Sequence, residues 1–557
     1  MNRNILKRNS LRMLAAAAIL VVGFGALLWG KRNDFGLGRN IEIAVNMMRE
    51  LSLYYVDEVD PDRLMEGAAE GMVSDLDPYT EYMPEERMSS FELLTTGKYG
   101  GVGALIRQKG DYVIIAQPYK DSPADRAGLK IGDRIVAIDG EDARGFTTDK
   151  VSARLKGAPG STVRVTVERL LDRREEVTLR RERIAIPAVP YAGWLNDSIG
   201  YIQHSDFTDG CYEEVRAAVE RLRAEGNLRG LVLDYRGNGG GIMQEAVKIL
   251  SMFVPKGTEV VATHGRTEQK SYRTQSEPIL AELPLAVLVN GNTASAAEIV
   301  SGALQDLDRA VLIGQKSFGK GLVQSTRPLG YNAYLKLTTA KYYIPSGRCI
   351  QAIDYSHSQQ GEVKSAPDSL IREFRTAAGR KVYDGGGIMP DIRTEPEYIS
   401  RFAATLYALG FVEDFVDDYM RSHAGEPFHL MEFALDSATY DRFADFMKDK
   451  KVPYESETRR ALERLRKAAE EERYTELDNH LARLEQEVRD DTQTNLETYR
   501  QEIVRTLENE IILRYAYAQG VIEHALPQDA EVQRAVEVLS SPDEYRRITR
   551  EQDTARK

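Results

Sequence analysis

Short apolar runs alternate with longer amphipathic runs between residues 183 and 395, and this pattern constrains the fold more than any other feature of the sequence. The apolar runs include "LRGLVLDYR", "PLAVLVN" and "RAVLIG", and one of the runs between them, "CYEEVRAAVERLRAEG", has helical spacing. Strands that alternate with helices build layered α/β domains. We therefore expect an α/β core over residues 183–395.

The chain has 557 residues, which is too long for one hydrophobic core. Amphipathic helices are predicted before the first β-rich segment, and charge-rich sequence with helical spacing follows the core. The predicted fold class is therefore a multidomain α/β protein. Its segments are an N-terminal membrane segment (1–38), a helical region (39–96), a β-rich domain (97–182), the α/β core (183–395) and a C-terminal helical domain (396–557).

The stretch from Met13 to Gly30 contains no charged residue and follows a basic segment. Its length lies at the lower limit for a helix that spans a membrane. A cleaved signal peptide is the main alternative, but no convincing small-x-small cleavage site follows the apolar residues. We therefore predict an uncleaved anchor with its basic end in the cytoplasm. The rest of the chain would then lie outside the cytoplasm, in the periplasm or beyond.

The charge balance and the cysteine content argue against several classes of protein. Lys and Arg number 74 against 86 Asp and Glu, a net charge of −12, which argues against general binding to nucleic acid. The two cysteines, Cys211 and Cys349, lack the spacing of a metal site. We expect no metal and no cofactor. A single disulfide between the two cysteines stays open.

A lone serine, Ser295, interrupts the small residues of "GNTASAAEIV", directly after a predicted strand and at the start of a predicted helix. Small residues allow a helix to pack closely on a sheet, so packing alone is one explanation. The other is catalysis, for which the hydroxyl needs a base. The chain has 7 histidines, and none lies in a recognisable catalytic motif. They are His204, His264, His357, His423, His429, His480 and His524.

Lys320 is the stronger candidate for a base, and it lies between two glycines in "GQKSFGKGLVQ". The segment matches the GxxxxGK of a phosphate loop, but glycine replaces the Ser or Thr that would hold Mg²⁺. Ser317 and Lys320 also have SxxK spacing, although the flanking glycines disfavour the helix that such a site needs. A third interpretation makes Lys320 the base for Ser295. A lysine in this role has to be neutral, which burial among apolar groups favours.

The sequence "SPADRAGLKIGDRIVAIDG" and the β-rich runs around it resemble a PDZ domain over residues 97–182. In that family a glycine-rich loop offers backbone N–H groups to the terminal carboxylate of a peptide. The resemblance assigns this role to Gly101, Val102, Gly103 and Ala104. The alternative explanation for these glycines is a tight turn without a ligand.

The core resembles the C-terminal processing peptidases, also called tail-specific proteases. The resemblance rests on "TASAAEIVSGALQDLDRAVLIGQKSFGKGLVQ", "GLVLDYRGNGGG", "IPSGRCIQ" and "GGGIMPDI", and with the PDZ-like segment it covers roughly residues 40–395. It implies that Ser295 is the nucleophile, that Lys320 is the general base and that Gln324 supports the lysine. Thr293, Ala297 and Gly239 depart from the usual family pattern, but none of these changes removes a catalytic atom.

The oxyanion of a tetrahedral intermediate also needs hydrogen-bond donors. The N–H of Ala296 follows the serine at the start of a helix, and the glycine turn after "LVLDY" offers Gly240. These two residues are therefore the predicted oxyanion hole. The alternative is that the glycines only form a tight turn between strand and helix.

The resemblance implies a membrane-anchored serine endopeptidase that captures substrate C-termini through its PDZ domain and cleaves with a Ser–Lys dyad. One alternative is a catalytically inactive PDZ adaptor or scaffold in the cell envelope, against which the intact Ser295, Lys320 and Gln324 argue. Another is a different acyl-transfer enzyme, because the core resembles the crotonase-type fold, whose other members bind coenzyme A. The expected partners are proteins or peptides with free C-termini and a membrane. An activating partner protein and a homo-oligomer are both compatible with the resemblance.

Overall fold

The computed structural model describes residues 34–169, 173–354, 364–365, 371–488 and 491–550. The predicted membrane segment, Met13 to Gly30, lies outside the described residues. Within the described ranges, no helix combines the length and the apolar character needed to cross a membrane.

The described residues form two compact units, and the smaller unit contains residues 34–85 and 326–337. Its elements are helix α1 (Asp34–Tyr54), helix α2 (Pro61–Val73) and strand β1 (Glu81–Met83). Helix α2 begins where the side chain of Asp60 accepts a hydrogen bond from the N–H of Asp62, with Pro61 in the first turn. Strand β1 runs antiparallel to residues 334–336.

The larger unit begins with helix α3 (Met88–Thr96) and a β-rich domain. The domain contains β2 (Lys98–Gly101), β3 (Ala104–Lys109), β4 (Tyr112–Pro118), α4 (Pro123–Arg126), β5 (Arg134–Ile138), β6 (Glu141–Asp142), α5 (Thr148–Leu155), β7 (Thr162–Glu168), β8 (Arg174–Arg180) and β9 (Glu182–Ala185). Its main sheet has the order β3-β4-β5-β7-β8, so β3 is an edge strand. Alternating residues such as Val163, Val165 and Val167 point into one buried core.

The α/β core follows the βα alternation that the sequence predicts. Its elements are β10 (Tyr191–Trp194), β11 (Ile199–Gln203), α6 (Cys211–Glu225), β12 (Gly230–Asp234), α7 (Met243–Leu250), β13 (Glu259–Gly265), β14 (Gln269–Arg273), β15 (Leu285–Val289), α8 (Ala296–Asp306), β16 (Val311–Gly314), β17 (Leu322–Gly330), β18 (Ala333–Tyr343), β19 (Ile353–Asp354), β20 (Lys364–Ser365), β21 (Glu373–Arg375), β22 (Lys381–Tyr383) and β23 (Ile392–Arg393). The central sheet has the order β10-β11-β12-β15-β16-β23 and is parallel except for β10. The prediction of a multidomain α/β protein is confirmed.

Both faces of the central sheet are buried, which explains the uninterrupted apolar runs in its strands. Leu231 and Val287 belong to the core beneath α6, α7 and α8. Val232 and Leu288 point to the opposite face, where they pack against the C-terminal helix that contains Val538. The sheet is therefore covered by helices from two distant parts of the chain.

The C-terminal region is helical. It contains α9 (Arg401–Ala408), α10 (Phe411–Ser422), α11 (Ser437–Phe446), α12 (Glu457–Glu472), α13 (Asp478–Glu487), α14 (Thr492–Thr498), α15 (Arg500–Ala525), α16 (Ala530–Ser540) and α17 (Pro542–Arg550). Phe402, Phe415, Phe443 and Leu507 form part of a separate aromatic and aliphatic core. Helices α16 and α17 instead pack on the central sheet.

The two cysteines are not linked. Cys211 is buried in α6, Cys349 is half-buried, and both thiols are free. The disulfide that the sequence left open is therefore absent.

Candidate active site

Ser295 lies where strand β15 gives way to helix α8. Its backbone has φ 56° and ψ −117°, which lies outside the regions that residues with side chains normally adopt. Such strain costs about 1–3 kcal/mol and concentrates at functional sites. The turn is fixed by the buried Thr293, whose hydroxyl accepts from the N–H of Asn290 and donates to the carbonyl of Tyr235, both at 2.9 Å.

The side chain of Glu298 is completely buried, and its carboxylate joins the serine to the loop that carries Lys320. Oε2 accepts hydrogen bonds from the N–H of Ser295 at 2.8 Å and from the N–H of Lys320 at 2.9 Å. Oε1 accepts from Ser317 Oγ at 2.5 Å and from the N–H of Gly319 at 2.7 Å. One carboxylate thus fixes the backbones of both predicted catalytic residues.

Tyr342 makes a second link between the same two residues. Its hydroxyl oxygen lies 2.5 Å from the carbonyl oxygen of Lys320 and 3.2 Å from that of Ser295. On the other side of the lysine, the N–H of Gly321 donates to Gln351 Oε1 at 2.7 Å. A Cβ at Gly321 would lie 2.8 Å from the backbone nitrogen of Gln351, so a side chain at this position has no room.

The lysine loop fits neither of the two competing motifs. Ser317 is buried, donates to Glu298 and accepts from the N–H of Ile388 at 2.6 Å, so its hydroxyl has a structural role. The loop leads into strand β17 and not into a helix, which both an SxxK site and a phosphate loop require. Lys320 itself is half-buried. The interpretation that pairs it with Ser295 stays a prediction.

Gln324 lies on strand β17, in the same segment as Lys320. Its side-chain amide donates to Thr338 Oγ1 on the neighbouring strand β18 at 3.1 Å. The strand pair thus holds the amide in place. Its predicted support of the lysine stays a prediction.

The glycine turn touches Ser295 directly. A Cβ at Gly240 would lie 2.7 Å from Ser295 Cβ and 2.7 Å from the nitrogen of Ala296, and the φ of Gly240 is +90°. The N–H of Gly240 donates to Asn238 Oδ1 at 2.8 Å, so this donor already has an acceptor. The N–H of Ala296 lies at the first position of α8, where a helix provides no internal acceptor. The two predicted oxyanion residues therefore lie together, in different hydrogen-bonding states.

The electrostatics of the site centre on Glu298. Burial raises the pKa of its carboxyl group to about 7, while the hydrogen bonds from Ser317, Lys320, Gly319 and Ser295 act in the opposite direction. The ionised form accepts all four bonds, whereas a protonated oxygen would face a donor. These four donors therefore favour the charged carboxylate.

His204 directly follows strand β11, and its backbone carbonyl accepts a hydrogen bond from Asn238 Nδ2 at 2.7 Å. Its ring is fully buried and packs 4.5 Å from Phe207 and 5.4 Å from Tyr235, measured between ring centroids. Burial lowers the pKa of His204 to about 4. The side chain is therefore a neutral part of the hydrophobic core at ordinary pH.

The predicted carboxylate-binding loop of the β-rich domain has an ordered backbone. The carbonyl of Val102 accepts from the N–H of Ala124, and the carbonyl of Gly103 accepts from Ser122 Oγ and from the N–H of Tyr119, at 2.8–2.9 Å. In a trans peptide the N–H points away from the preceding carbonyl. The N–H groups of Gly103 and Ala104 consequently point away from the segment that holds these carbonyls.

Gly101 ends strand β2, and a Cβ there would lie 2.7 Å from the ring of Tyr99. Gly103 has φ +77°, and a Cβ on it would lie 2.4 Å from the Cβ of Ser122. Glycine is therefore required at position 103 by both conformation and space. Val102 is buried and Ala104 begins the edge strand β3.

Sequence reasoning missed Glu298 and Tyr342. A signal for Glu298 was present, because Ser295 and Glu298 have the S-x-x-E spacing of a helix N-terminus. The side chain of Glu298 does bind the N–H of Ser295, as that pattern predicts. No local pattern marks Tyr342, which reaches the site from strand β18.

Family models match four consecutive parts of the chain. They are described as the N-terminal domain of the activating protease CtpB (residues 39–87), a PDZ domain (114–169), peptidase family S41 (198–357) and the C-terminal helical domain of a probable PDZ-protease (402–539).

The sequence is also similar to curated proteins. A carboxy-terminal-processing protease of Bartonella bacilliformis is 37% identical over 305 residues, which cover 54% of this chain and 70% of that protein. The carboxy-terminal processing protease CtpA of Bacillus subtilis is 32% identical over 337 residues, 60% of this chain and 72% of that protein. Among solved structures, a photosystem II D1 C-terminal processing protease is 26% identical, with a TM-score of 0.34 over 64% of this chain and 93% of that one.

Proposed function

Because the chain belongs to peptidase family S41, the carboxy-terminal-processing proteases, and is a serine-type peptidase with a PDZ domain, we propose that Ser295 is its nucleophile and Lys320 its general base. The observation that carries this proposal is the buried carboxylate of Glu298, which binds the backbone N–H groups of both residues. The strained backbone of Ser295 supports it, because a residue without a function at this position would gain from relaxing.

In the proposed reaction, the neutral amine of Lys320 takes the proton from Ser295 Oγ while that oxygen attacks the scissile carbonyl. The ammonium then gives the proton to the leaving amine, and water hydrolyses the acyl-enzyme by the same route. The N–H of Ala296 is available to the oxyanion at once. The N–H of Gly240 becomes available when it exchanges Asn238 Oδ1 for the oxyanion. Gln324 orients the amine without adding a charge that would hold its proton.

The test compares casein cleavage by the protein with cleavage by Ser295→Ala. The expected result is loss of activity to background. Ser301→Ala is a matched control, because Ser301 is a buried serine on the same helix whose hydroxyl bonds only to backbone carbonyls of that helix. Cleavage by Ser295→Ala at the rate of the unmodified protein would refute the proposal and restore the inactive adaptor as the better hypothesis.

The PDZ domain is proposed to capture the free C-terminus of a substrate. The outward N–H groups of Gly103 and Ala104 suit a terminal carboxylate, and the edge strand β3 can accept the peptide as an additional strand. Amidation of the terminus removes charge-assisted hydrogen bonds worth roughly 1.5–3 kcal/mol each, so cleavage should fall at least about tenfold.

The test uses one peptide as the free acid and as the amide. Gly103→Ala should reduce the preference for the acid because its Cβ would overlap Ser122. Gly128→Ala is the control, since Gly128 has a similar φ, +76°, and open space around it. Equal cleavage of acid and amide by the unmodified protein would contradict capture of the carboxylate.

The anchor is proposed to hold the protein to the cell membrane, with the peptidase outside the cytoplasm. The uncharged stretch after a basic segment supports this location. The protein should therefore stay in the membrane fraction through a carbonate wash. A mature N-terminus between residues 25 and 40 would instead show that the segment is a cleaved signal peptide.

A further inference from the structure

Arg236 connects the glycine turn to the C-terminal helices. It lies two residues after the end of strand β12, and its guanidinium group donates to both carboxylate oxygens of Asp234 at 2.6–3.0 Å. Its Nη1 lies 2.8 Å from Asp529 and 2.8 Å from Glu531. Asp529 and Glu531 stand at the start of helix α16, and Asp529 is its N-cap residue.

Glu531 contacts residues that follow three strands of the central sheet. Its Oε2 binds Arg236 after β12, while its Oε1 accepts from Gln315 Nε2 and from Thr394 Oγ1, both at 2.5 Å. Gln315 follows β16 and Thr394 follows β23. The Glu531 side chain is only 12% exposed.

Two of these three contacts lie where the loops of the proposed catalytic site begin, namely the turn that contains Gly240 and the loop that leads to Lys320. Arg236 precedes the turn that contains Gly240, and the N–H of the next residue, Gly237, donates to Asn290 Oδ1 at 3.0 Å. Gln315 begins the loop that leads to Lys320. The carboxylate of Glu531 therefore contacts the residues from which both the glycine turn and the Lys320 loop begin.

We propose that Glu531, assisted by Asp529, is a positioning residue for catalysis: it fixes the oxyanion turn through Arg236 and the lysine loop through Gln315. This inference rests on the proposed function of Ser295 and Lys320. It gives the C-terminal helical region a part in the chemistry, although none of its residues is placed at the reacting atoms. Loss of the Glu531 carboxylate lets both loops shift relative to the nucleophile.

The test measures kcat and KM separately for Glu531→Gln in the full chain, with a fluorogenic peptide that has a free C-terminus. Small displacements of reacting groups reduce rates strongly, and complete loss of an oxyanion donor costs about 10²–10³ in kcat. A displaced turn should cost less, so we expect kcat to fall by about tenfold or more with KM changed by less than about twofold. Asp529→Asn keeps the capping oxygen and should give a smaller loss of the same kind.

The matched control is Glu544→Gln, which removes an ion pair between Glu544 on α17 and Arg534 on α16. Its kcat should match that of the unmodified protein. Thermal melts establish folding, and if Glu531→Gln gives no cooperative melt, Asp529→Asn decides by the same criteria. An unchanged kcat in folded Glu531→Gln, an equal loss in Glu544→Gln or a loss confined to KM would overturn the inference. Activity in Ser295→Ala would instead overturn the proposed function on which it rests.

Discussion

Replacing Gly240 by alanine tests the arrangement of the catalytic site with one methyl group. The added Cβ would lie 2.6 Å from the carbonyl oxygen of Ala294, 2.7 Å from the nitrogen of Ala296 and 2.7 Å from Ser295 Cβ. Carbon atoms in contact normally stay at least about 3.5 Å apart, so the turn and the serine have to separate by roughly 0.8 Å. The φ of +90° adds strain, for which about 1–2 kcal/mol is typical of a residue with a Cβ.

The expected consequence is a catalytic defect larger than the structural one. A misplacement of about 1 Å can cost 10²-fold in rate, and loss of an oxyanion donor costs a similar amount or more. We expect kcat of Gly240→Ala to fall by about 10²–10³, with a smaller change in KM. Gly239→Ala is the control, because no atom would lie within 4 Å of its Cβ and its φ is not in the left-handed range.

The assay is cleavage of a fluorogenic peptide with a free C-terminus, combined with a thermal melt of each variant. Gly239→Ala should keep kcat within about threefold of the unmodified protein, because mutations that create no overlap are usually mild. A folded Gly240→Ala with nearly unchanged kcat would refute the placement of the turn against Ser295, the proposed nucleophile. An equal loss in Gly239→Ala would show that the turn tolerates no side chain for some other reason.

Three further predictions concern the proposed base Lys320, the buried carboxylate of Glu298 and the buried histidine His204. Lys320→Ala and Lys320→Arg should both be as inactive as Ser295→Ala in the casein assay, since a guanidinium group does not release its proton; activity in either would point to another base. Glu298→Gln leaves at least one buried N–H donor facing an amide, so we expect a loss of about 1–3 kcal/mol in the free energy of unfolding and at least about tenfold lower kcat. A melt and a rate like those of the unmodified protein would contradict its bridging role. For His204, whose pKa falls from 6.5 to about 4 on folding, the unfolded chain binds the extra proton, so stability is lost as the pH falls from about 6.5 to about 4. The loss reaches roughly 3 kcal/mol and should be absent in His204→Leu; parallel pH profiles of unfolding for the two proteins would refute it.

The parallel core could be predicted because its strands are buried on both faces. Runs such as Leu231 to Leu233 are apolar without interruption, since alternate residues enter two different cores. The family resemblance then located Ser295 and Lys320 within the pattern. Local sequence carried this part of the fold because strand, turn and helix follow one another along the chain.

The contacts that complete the site could not be read in the same way. Tyr342 reaches Ser295 and Lys320 from another strand, and Glu531 reaches Arg236 over 295 residues of sequence. An amphipathic helix such as α16 shows that one of its faces is buried, but not which surface covers it. The sequence of the central sheet likewise shows that its outer face is buried, but not which helix packs on it. Tertiary packing alone joins the two.

Charged residues of the C-terminal helices also form contacts with the PDZ domain, which is distant from them in sequence. Lys109, on the edge strand β3, pairs with Asp414 at 2.8 Å and with Asp417 at 3.1 Å, both on helix α10. Arg514, which is almost completely buried, donates to the carbonyl of Ile131 at 2.8 Å and approaches Gly132 so closely that a Cβ there would lie 2.2 Å from its Nη1.

The C-terminal region therefore binds both the domain proposed to capture the substrate and the sheet proposed to cleave it. Val232 and Leu288 of that sheet lie under α16, so a truncation before the C-terminal helices would expose an apolar face as well as remove Glu531. Loss of activity in such a truncation would not distinguish unfolding from mispositioned catalytic loops. Exchange of the Glu531 carboxylate for an amide separates the two effects, because it leaves the apolar contacts in place and changes only the ion pair and the hydrogen bonds of this side chain.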